Sequence, residues 1–310
     1  MPSTKPRISP PARSSGAVRP NSKLNGKGSK RLNGKSQAPV NGRSTTTMAA
    51  AADKYDLYIR SVQSPEVEVT FFDRAFRGRY GRRPDTLRED FCGTAAVCYD
   101  WVRSSASRRA IGVDLDPEPL AWGAKRFGST LRKDQAARLR LVPGDVRKTP
   151  ARAQVIAAQN FSYFCFQTRD ALRKYFRHAR RCLETEGMLV LDVLGGSEVI
   201  EDEREEETSV DKFTYVWHHV DFDPVSHRCH YAIHFRFRDG SELRNAFQYD
   251  WRLWSLPELR ELLAEAGFSA SDVYWEATDR KTGEGNGVYR KRVRGDADPA
   301  WVVYLVAWKS

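Results

Sequence analysis

The chain has no apolar run approaching the roughly 20 residues that cross a bilayer as a helix, and no secretory hydrophobic core near its start. Neither a membrane span nor a secretory leader is expected. Its five cysteines, Cys92, Cys98, Cys165, Cys182 and Cys229, are too sparse for a disulfide scaffold and lack paired metal-ligand spacing. The expectation is a reducing, intracellular and cytoplasmic setting, with no metal. Acidic residues are missing from residues 1–47, which hold ten of the 51 lysines and arginines and leave 41 basic against 40 acidic residues in the remainder. The formal charge of +11 therefore belongs to the tail, and it says little about nucleic-acid binding by the rest. No internal repeat is present.

The acid-free segment is rich in Ser, Gly, Pro and Asn, so ordering it would cost chain entropy with little apolar burial in return. Residues 1–47 read as a disordered basic tail. Organelle targeting, or contact with nucleic acid through the tail only, are the uses such a composition serves.

What the remainder does have is 40% hydrophobic and 11% aromatic content, enough for a sizeable core. Across 48–85, Tyr55, Tyr58, Ile59, Val62, Val69, Phe72 and Phe76 recur at spacings near three and four, which predicts a helical lead-in over the first strand. Strand patterns follow at 86–91, 109–114, 139–142, 154–161 and 188–192. Between them lie helical patterns at 95–103, from the cap Asp116-Pro117 to about 127, and along a face of Leu172, Tyr175, Phe176, Ala179 and Leu183 that Gly187 is expected to end. Such alternation predicts an α/β, doubly wound, mostly parallel sheet.

After Gly195-Gly196 the period changes. An acidic run at 201–207 precedes alternating segments at 213–220, 229–238 and 243–249, the last two joined by an Asp239-Gly240 turn. These predict an antiparallel insertion at about 197–250. Ser255-Leu256-Pro257-Glu258 is a capping box for the next helix, and strand patterns at 273–276 and 301–308 are joined through a polar segment at 281–287. The late aromatic residues, Trp217, Tyr231, Tyr249, Trp251 and their neighbours, are expected to fill the seam between insertion and sheet, with an acceptor pocket as the alternative. His230 and His234 read as solvent-facing strand residues.

The chemistry concentrates at strand ends. Leu87-Arg88-Glu89-Asp90-Phe91-Cys92-Gly93-Thr94-Ala95 places a strand, an acid and a glycine turn before a helix. Ile111-Gly112-Val113-Asp114 ends a second strand in an acid. Pro143-Gly144-Asp145-Val146 closes the third. From about residue 86 to 308 this pattern resembles the class I S-adenosylmethionine-dependent methyltransferases. The resemblance implies a seven-stranded sheet with a late antiparallel hairpin, a domain over 86–310, and S-adenosyl-L-methionine as cofactor.

It further implies that Glu89, Cys92, Gly93 and Thr94 hold the methionine part, that Asp114 receives the ribose hydroxyls, and that Asp145 with Val146 faces the adenine. Phe91 and Ala95 stand where the family carries its outer glycines. Asn160-Phe161-Ser162-Tyr163 follows strand four, where the family places residues near the transferred methyl, so Asn160 and Tyr163 are the candidate catalytic residues. His218, His219 and Glu276 are candidate bases. The implied function is methyl transfer to a small-molecule acceptor.

Two other classes fit parts of the pattern. A non-catalytic module of the same fold would bind anions through its tail. An NAD(P)-dependent oxidoreductase would show Gly-x-Gly-x-x-Gly after strand one, where this chain has a single glycine.

Overall fold

The computed structural model describes residues 46–278 and 285–309, so nearly all of the expected tail and most of the polar 281–287 segment lie outside the described residues. The lead-in forms three helices, α1 (Met48–Ala51), α2 (Lys54–Val62) and α3 (Pro65–Tyr80). Asp53 caps α2 by accepting from the Tyr55 and Asp56 amides, and Pro65 starts α3 at its first turn.

The alternating part then runs β1 (Thr86–Asp90), α4 (Ala96–Ser104), β2 (Arg109–Asp114), α5 (Pro117–Gly128), α6 (Lys133–Ala136), β3 (Leu139–Pro143), β4 (Ala153–Ala158), α7 (Arg169–Cys182) and β5 (Leu183–Gly195). Asp116 caps α5 and Pro117 opens it, as its sequence predicts. The insertion is β6 (Arg204–Val210), β7 (Phe213–Asp223), β8 (Arg228–Phe237) and β9 (Glu242–Arg252). The chain finishes with α8 (Leu256–Glu265), β10 (Ala270–Thr278), β11 (Gly285–Arg292) and β12 (Trp301–Lys309).

Among the described residues the main sheet has eight strands rather than seven, in the order β11-β10-β12-β5-β4-β1-β2-β3. The five strands from β5 to β3 are parallel, β12 runs antiparallel to both β5 and β10, and β11 is an extra edge strand antiparallel to β10. Polar, glycine-containing residues at 285–292 conceal that edge strand, because an edge needs no alternating apolar face. The insertion closes as a separate four-stranded antiparallel sheet, β6-β7-β8-β9. Its first strand includes part of the acidic run. Glu205 and Glu207 on β6 are ion-paired with Arg236 on β8, which offsets the like charges that otherwise argue against a strand.

The helix before β5 ends at Cys182, not Gly187, because Leu183 turns extended and pairs with Ala153. Strand four likewise stops at Ala158, three residues short of expectation.

Side chains alternate across the parallel strands and split the core in two. On β5, Met188 and Val190 face a cluster with Val69, Phe72, Phe76, Val97 and Trp101 from α3 and α4, whereas Leu189, Leu191 and Val193 face α7, α8 and the second sheet. Among the described residues no helix is long and apolar enough to cross a membrane.

Candidate cofactor and acceptor site

The turn after β1 is built on the left-handed backbone. Phe91, Gly93 and Ala95 have φ of 57°, 52° and 58°. The two positions that depart from the family's glycines therefore keep a glycine conformation. For an L-residue this costs about 1–2 kcal/mol each, held by packing of Phe91 against Phe166 and Tyr175 and by complete burial of Ala95. A Cβ on Gly93 would meet nothing within 4 Å among the described residues, so that glycine faces open space. A Cβ on Gly123 of α5 would stand 2.1 Å from the Thr94 carbonyl oxygen, so α5 packs directly on the turn. Gly123 carries no sequence signal of that contact.

The Gly93 amide donates to Asp114 Oδ2 at 2.7 Å, and the Asp116 amide donates to Oδ1 at 2.9 Å. Burial raises the Asp114 pKa, and these two donors work against the rise. Glu89 is 3% exposed and accepts the Cys98 amide of α4 at 3.2 Å. Burial pushes its carboxyl up to about 8. The Thr94 hydroxyl is buried and, among the described residues, has no hydrogen-bond partner. Open space before Gly93, an orphaned hydroxyl beside it and an acid on the facing strand end form a cradle that fits a polar nucleoside cofactor.

Asp145 follows β3 as expected, but Arg147 grips it through Nε and Nη2 at 3.0 and 2.8 Å. That guanidinium holds its pKa below the ordinary value. Val146 is buried, and its carbonyl accepts from Arg88 Nη2 at 2.7 Å.

Sequence reasoning missed Arg88 itself. It is fully buried on β1, pairs with Asp90 at 2.6 Å, and donates to the carbonyls of Thr149 and Ala151 as well. Asp90 takes a further bond from the Tyr175 hydroxyl at 2.9 Å. This network ties β1 to the segment that follows Asp145. An Arg-x-Asp pair inside a strand that is otherwise buried is the signal that could have exposed it.

After β4, Asn160 and Phe161 both lie in the left-handed region, at φ of 57° and 55°. Their amides donate to Asp192 of β5 at 2.6 and 2.9 Å. Tyr163 has no exposed surface, and its hydroxyl donates to the Asp192 carbonyl at 2.8 Å. Asn160 is half-buried, while Tyr163 locks the turn from within.

The lead-in reaches this region through α2. The Tyr55 hydroxyl donates to Glu118 on α5 at 3.0 Å, and Trp122 Nε1 donates to Asp53 at 2.6 Å. Tyr55 also lies within electrostatic reach of Asp116 and Asp114. Its ring and that of Tyr58 contact Phe247 of the second sheet at centroid distances of 5.9 and 4.9 Å. Helix α2 thus runs between the Asp114 side and the second sheet.

The three candidate bases separate. Glu276 accepts the Gly287 amide at 2.6 Å and the Tyr289 hydroxyl at 3.3 Å, on the far edge of the main sheet. His218 faces His234 on the outer side of the second sheet, its Nδ1 3.1 Å from His234 Nε2. His219 is buried on the inner side, 3.5 Å from Glu206, with its ring against Tyr231.

The paired histidine reading also needs correction. His230 is exposed and bonded to Asp221, but His234 is 1% exposed, enclosed with His218, Arg244, Glu242 and Glu205 about it. Glu205, His218 and His234 bring ligand atoms within 4.8 Å of one another, yet their protons serve another arrangement. The Asn245 amide donates to His234 Nδ1 at 2.8 Å. The proton of the neutral ring then sits on Nε2, pointed at His218 and closed to a metal. Glu205 is held by Arg236.

No protein-family profile matches the chain, and no curated protein matches it by sequence. Solved structures do match its fold. DesVI from Streptomyces venezuelae superposes with a TM-score of 0.59 at 17% identity, over 83% of this chain and 97% of that one. A S-adenosylmethionine-dependent methyltransferase from Clostridium acetobutylicum gives 0.58 at 16%, over 82% and 95%. CalS10 from Micromonospora echinaspora, an amino pentose methyltransferase solved with S-adenosylmethionine bound, gives 0.58 at 16%, over 84% and 98%. The chain therefore has the fold of the class I S-adenosylmethionine-dependent methyltransferases, extended by one edge strand and carrying a separate antiparallel sheet.

Proposed function

We propose that the chain is a S-adenosylmethionine-dependent methyltransferase acting on a small-molecule acceptor. The observation that carries this reading is the 2.7 Å bond from Gly93 to Asp114, which joins the β1 turn to the β2 acid in front of open space. The fold shared with CalS10 and DesVI supports it, as does the description of CalS10 as an amino pentose methyltransferase.

On this reading Cys92, Gly93 and Thr94 line the methionine part, with Glu89 steadying the start of α4 behind them. Asp114 receives the ribose hydroxyls, while Asp145 and Val146 border the adenine, Arg147 sharing the Asp145 carboxylate. The bound cofactor would supply an electrophilic methyl on a sulfonium that leaves as a neutral thioether. The chain's own contribution is to hold the acceptor in line at roughly 3 Å and to exclude water. Asn160, fixed by Asp192, is the member of the Asn160–Tyr163 pair that reaches the acceptor. Tyr163 acts from behind the turn.

Calorimetric titration with S-adenosylmethionine, S-adenosylhomocysteine and NAD tests the assignment. Saturable binding of the first two and none of the third is expected. Binding of NAD alone would reverse the reading.

A further inference from the structure

Helix α3 buries Val69, Phe72, Ala75 and Phe76 and turns the rest of its length outward. Thr70, Asp73, Arg74, Arg77 and Gly78 fall at helical spacings of three and four, so they share the outer face. With Arg83 they line an open groove of about 510 Å³. Asp73 is the one acid of that lining, and Arg108 pairs with it. Arg74, Arg77 and Arg83 are exposed, and none of them pairs with an acid among the described residues. Their sequence neighbours Arg79 and Arg82 are engaged, the first over the Trp308 ring and the second with Glu186.

Gly78 is a second observation at the same place. Glycine inside a helix is less stable than alanine, yet a Cβ here would meet nothing within 4 Å among the described residues. Packing does not require the glycine. Its effect is to leave part of the groove floor as bare backbone.

The end of α3 that carries Gly78 lies away from the cofactor turn. The Tyr80 hydroxyl donates to the Gly187 carbonyl at 3.3 Å, and Arg82 meets Glu186 at 2.9 Å. Both partners precede Met188, which is level through Val155 with Leu87 near the start of β1. The cofactor turn follows the other end of that strand.

The lining selects the partner. It holds no apolar or aromatic side chain, so neither a lipid tail nor an unstacked base would find a surface there. One exposed guanidinium holds an anion weakly, so a partner gains only by presenting anions in series. A nucleic-acid duplex does this, with phosphates that accept both prongs of an arginine and bases turned inward. The lining has no free carboxylate or amide for a 2′-hydroxyl, the group by which RNA is told from DNA.

We infer that the α3 groove docks the phosphate backbone of duplex DNA through Arg74, Arg77 and Arg83, independently of sequence. The ten basic residues of 1–47 supply further cations for the same polyanion. This surface is separate from the methyltransferase site and does not depend on that reading.

Fluorescence anisotropy of a labelled DNA duplex of roughly 20 base pairs with the full chain, from about 50 to about 200 mM salt, tests it. The triple change Arg74→Gln, Arg77→Gln, Arg83→Gln is expected to lower the slope of log Kd against log salt by about 2–3 and to weaken binding by at least about tenfold. The corresponding lysine triple keeps the charge and should keep most of the slope. Gly78→Glu sets a carboxylate on the groove floor without removing an arginine, and should weaken binding by at least about threefold. It decides the matter if circular dichroism shows that the glutamine triple does not fold. Absent binding by wild type, or a slope and affinity unmoved by these changes, overturns the docking surface and leaves any affinity to residues 1–47. Stronger competition by an RNA duplex or by polyglutamate than by unlabelled DNA overturns DNA as the partner.

Discussion

Gly93 donates its amide to the Asp114 carboxylate at 2.7 Å, so the first strand's turn and the second strand's end are one unit. The tie orients the carboxylate while its burial raises its pKa. A half-buried acid that accepts backbone donors on one side is prepared to accept ligand hydroxyls on the other.

Ala95 tests how much strain the turn stores. Ala95→Gly relieves about 1–2 kcal/mol of left-handed backbone cost, but it loses a buried methyl worth about 0.8 kcal/mol and gains about 0.4–1 kcal/mol of unfolded-state freedom. These nearly cancel, so chemical denaturation should place Ala95→Gly within about 1 kcal/mol of wild type. Ala95→Val, β-branched at a positive φ, should lose more than about 2 kcal/mol. Equal stability of the two variants would show that the turn is not left-handed.

Arg88→Met should destabilise strongly, by about 3–5 kcal/mol, because it leaves Asp90 buried without its partner. Adding Asp90→Leu should recover part of that loss, though not the three carbonyls that Arg88 caps. A double-mutant cycle with no coupling would contradict the buried pair.

Glu89 sets a pH dependence. Its carboxyl is pushed from 4.5 up to about 8 by burial, so between these values the folded protein holds a proton that the unfolded chain releases. Its contribution is full below the unfolded pKa and is lost as pH rises through about 8. Glu89→Gln mimics the neutral acid, so its stability relative to wild type should climb between pH 5 and 9. A flat difference across that range would mean that Glu89 is ionised in the fold.

His234 acts in the opposite sense. Burial, followed by His218 and Arg244, lowers its pKa below 6.5, so the folded ring stays neutral where the unfolded ring charges. Its contribution is present above the unfolded pKa and falls away as pH drops below it. Wild-type stability should decline from pH 7 to 5 more steeply than that of His234→Gln. Matching slopes in the two proteins would contradict a lowered His234 pKa.

Much of the frame was legible in sequence because βα alternation, the Asp116-Pro117 cap and the Ser255 capping box are local signals. Asp114 and Asp145 fell at strand ends for the same reason. The parts that were not legible depend on distant partners. The β6 acids pair with Arg236 across 29 residues or more, β11 is an edge strand whose buried Tyr289 makes no alternating apolar pattern, and His234 is covered by side chains from other strands. Phe91 and Ala95 showed a departure from glycine in sequence, and only their dihedral angles show that the glycine shape survives.

The central claim is that Asp114 holds the cofactor. Calorimetry of S-adenosylhomocysteine binding to Asp114→Ala, with folding checked by circular dichroism, addresses it most directly. Loss of a paired, partly buried ribose contact should weaken affinity by at least about tenfold, or about 1.4 kcal/mol. Unchanged affinity in a folded Asp114→Ala protein would contradict the account.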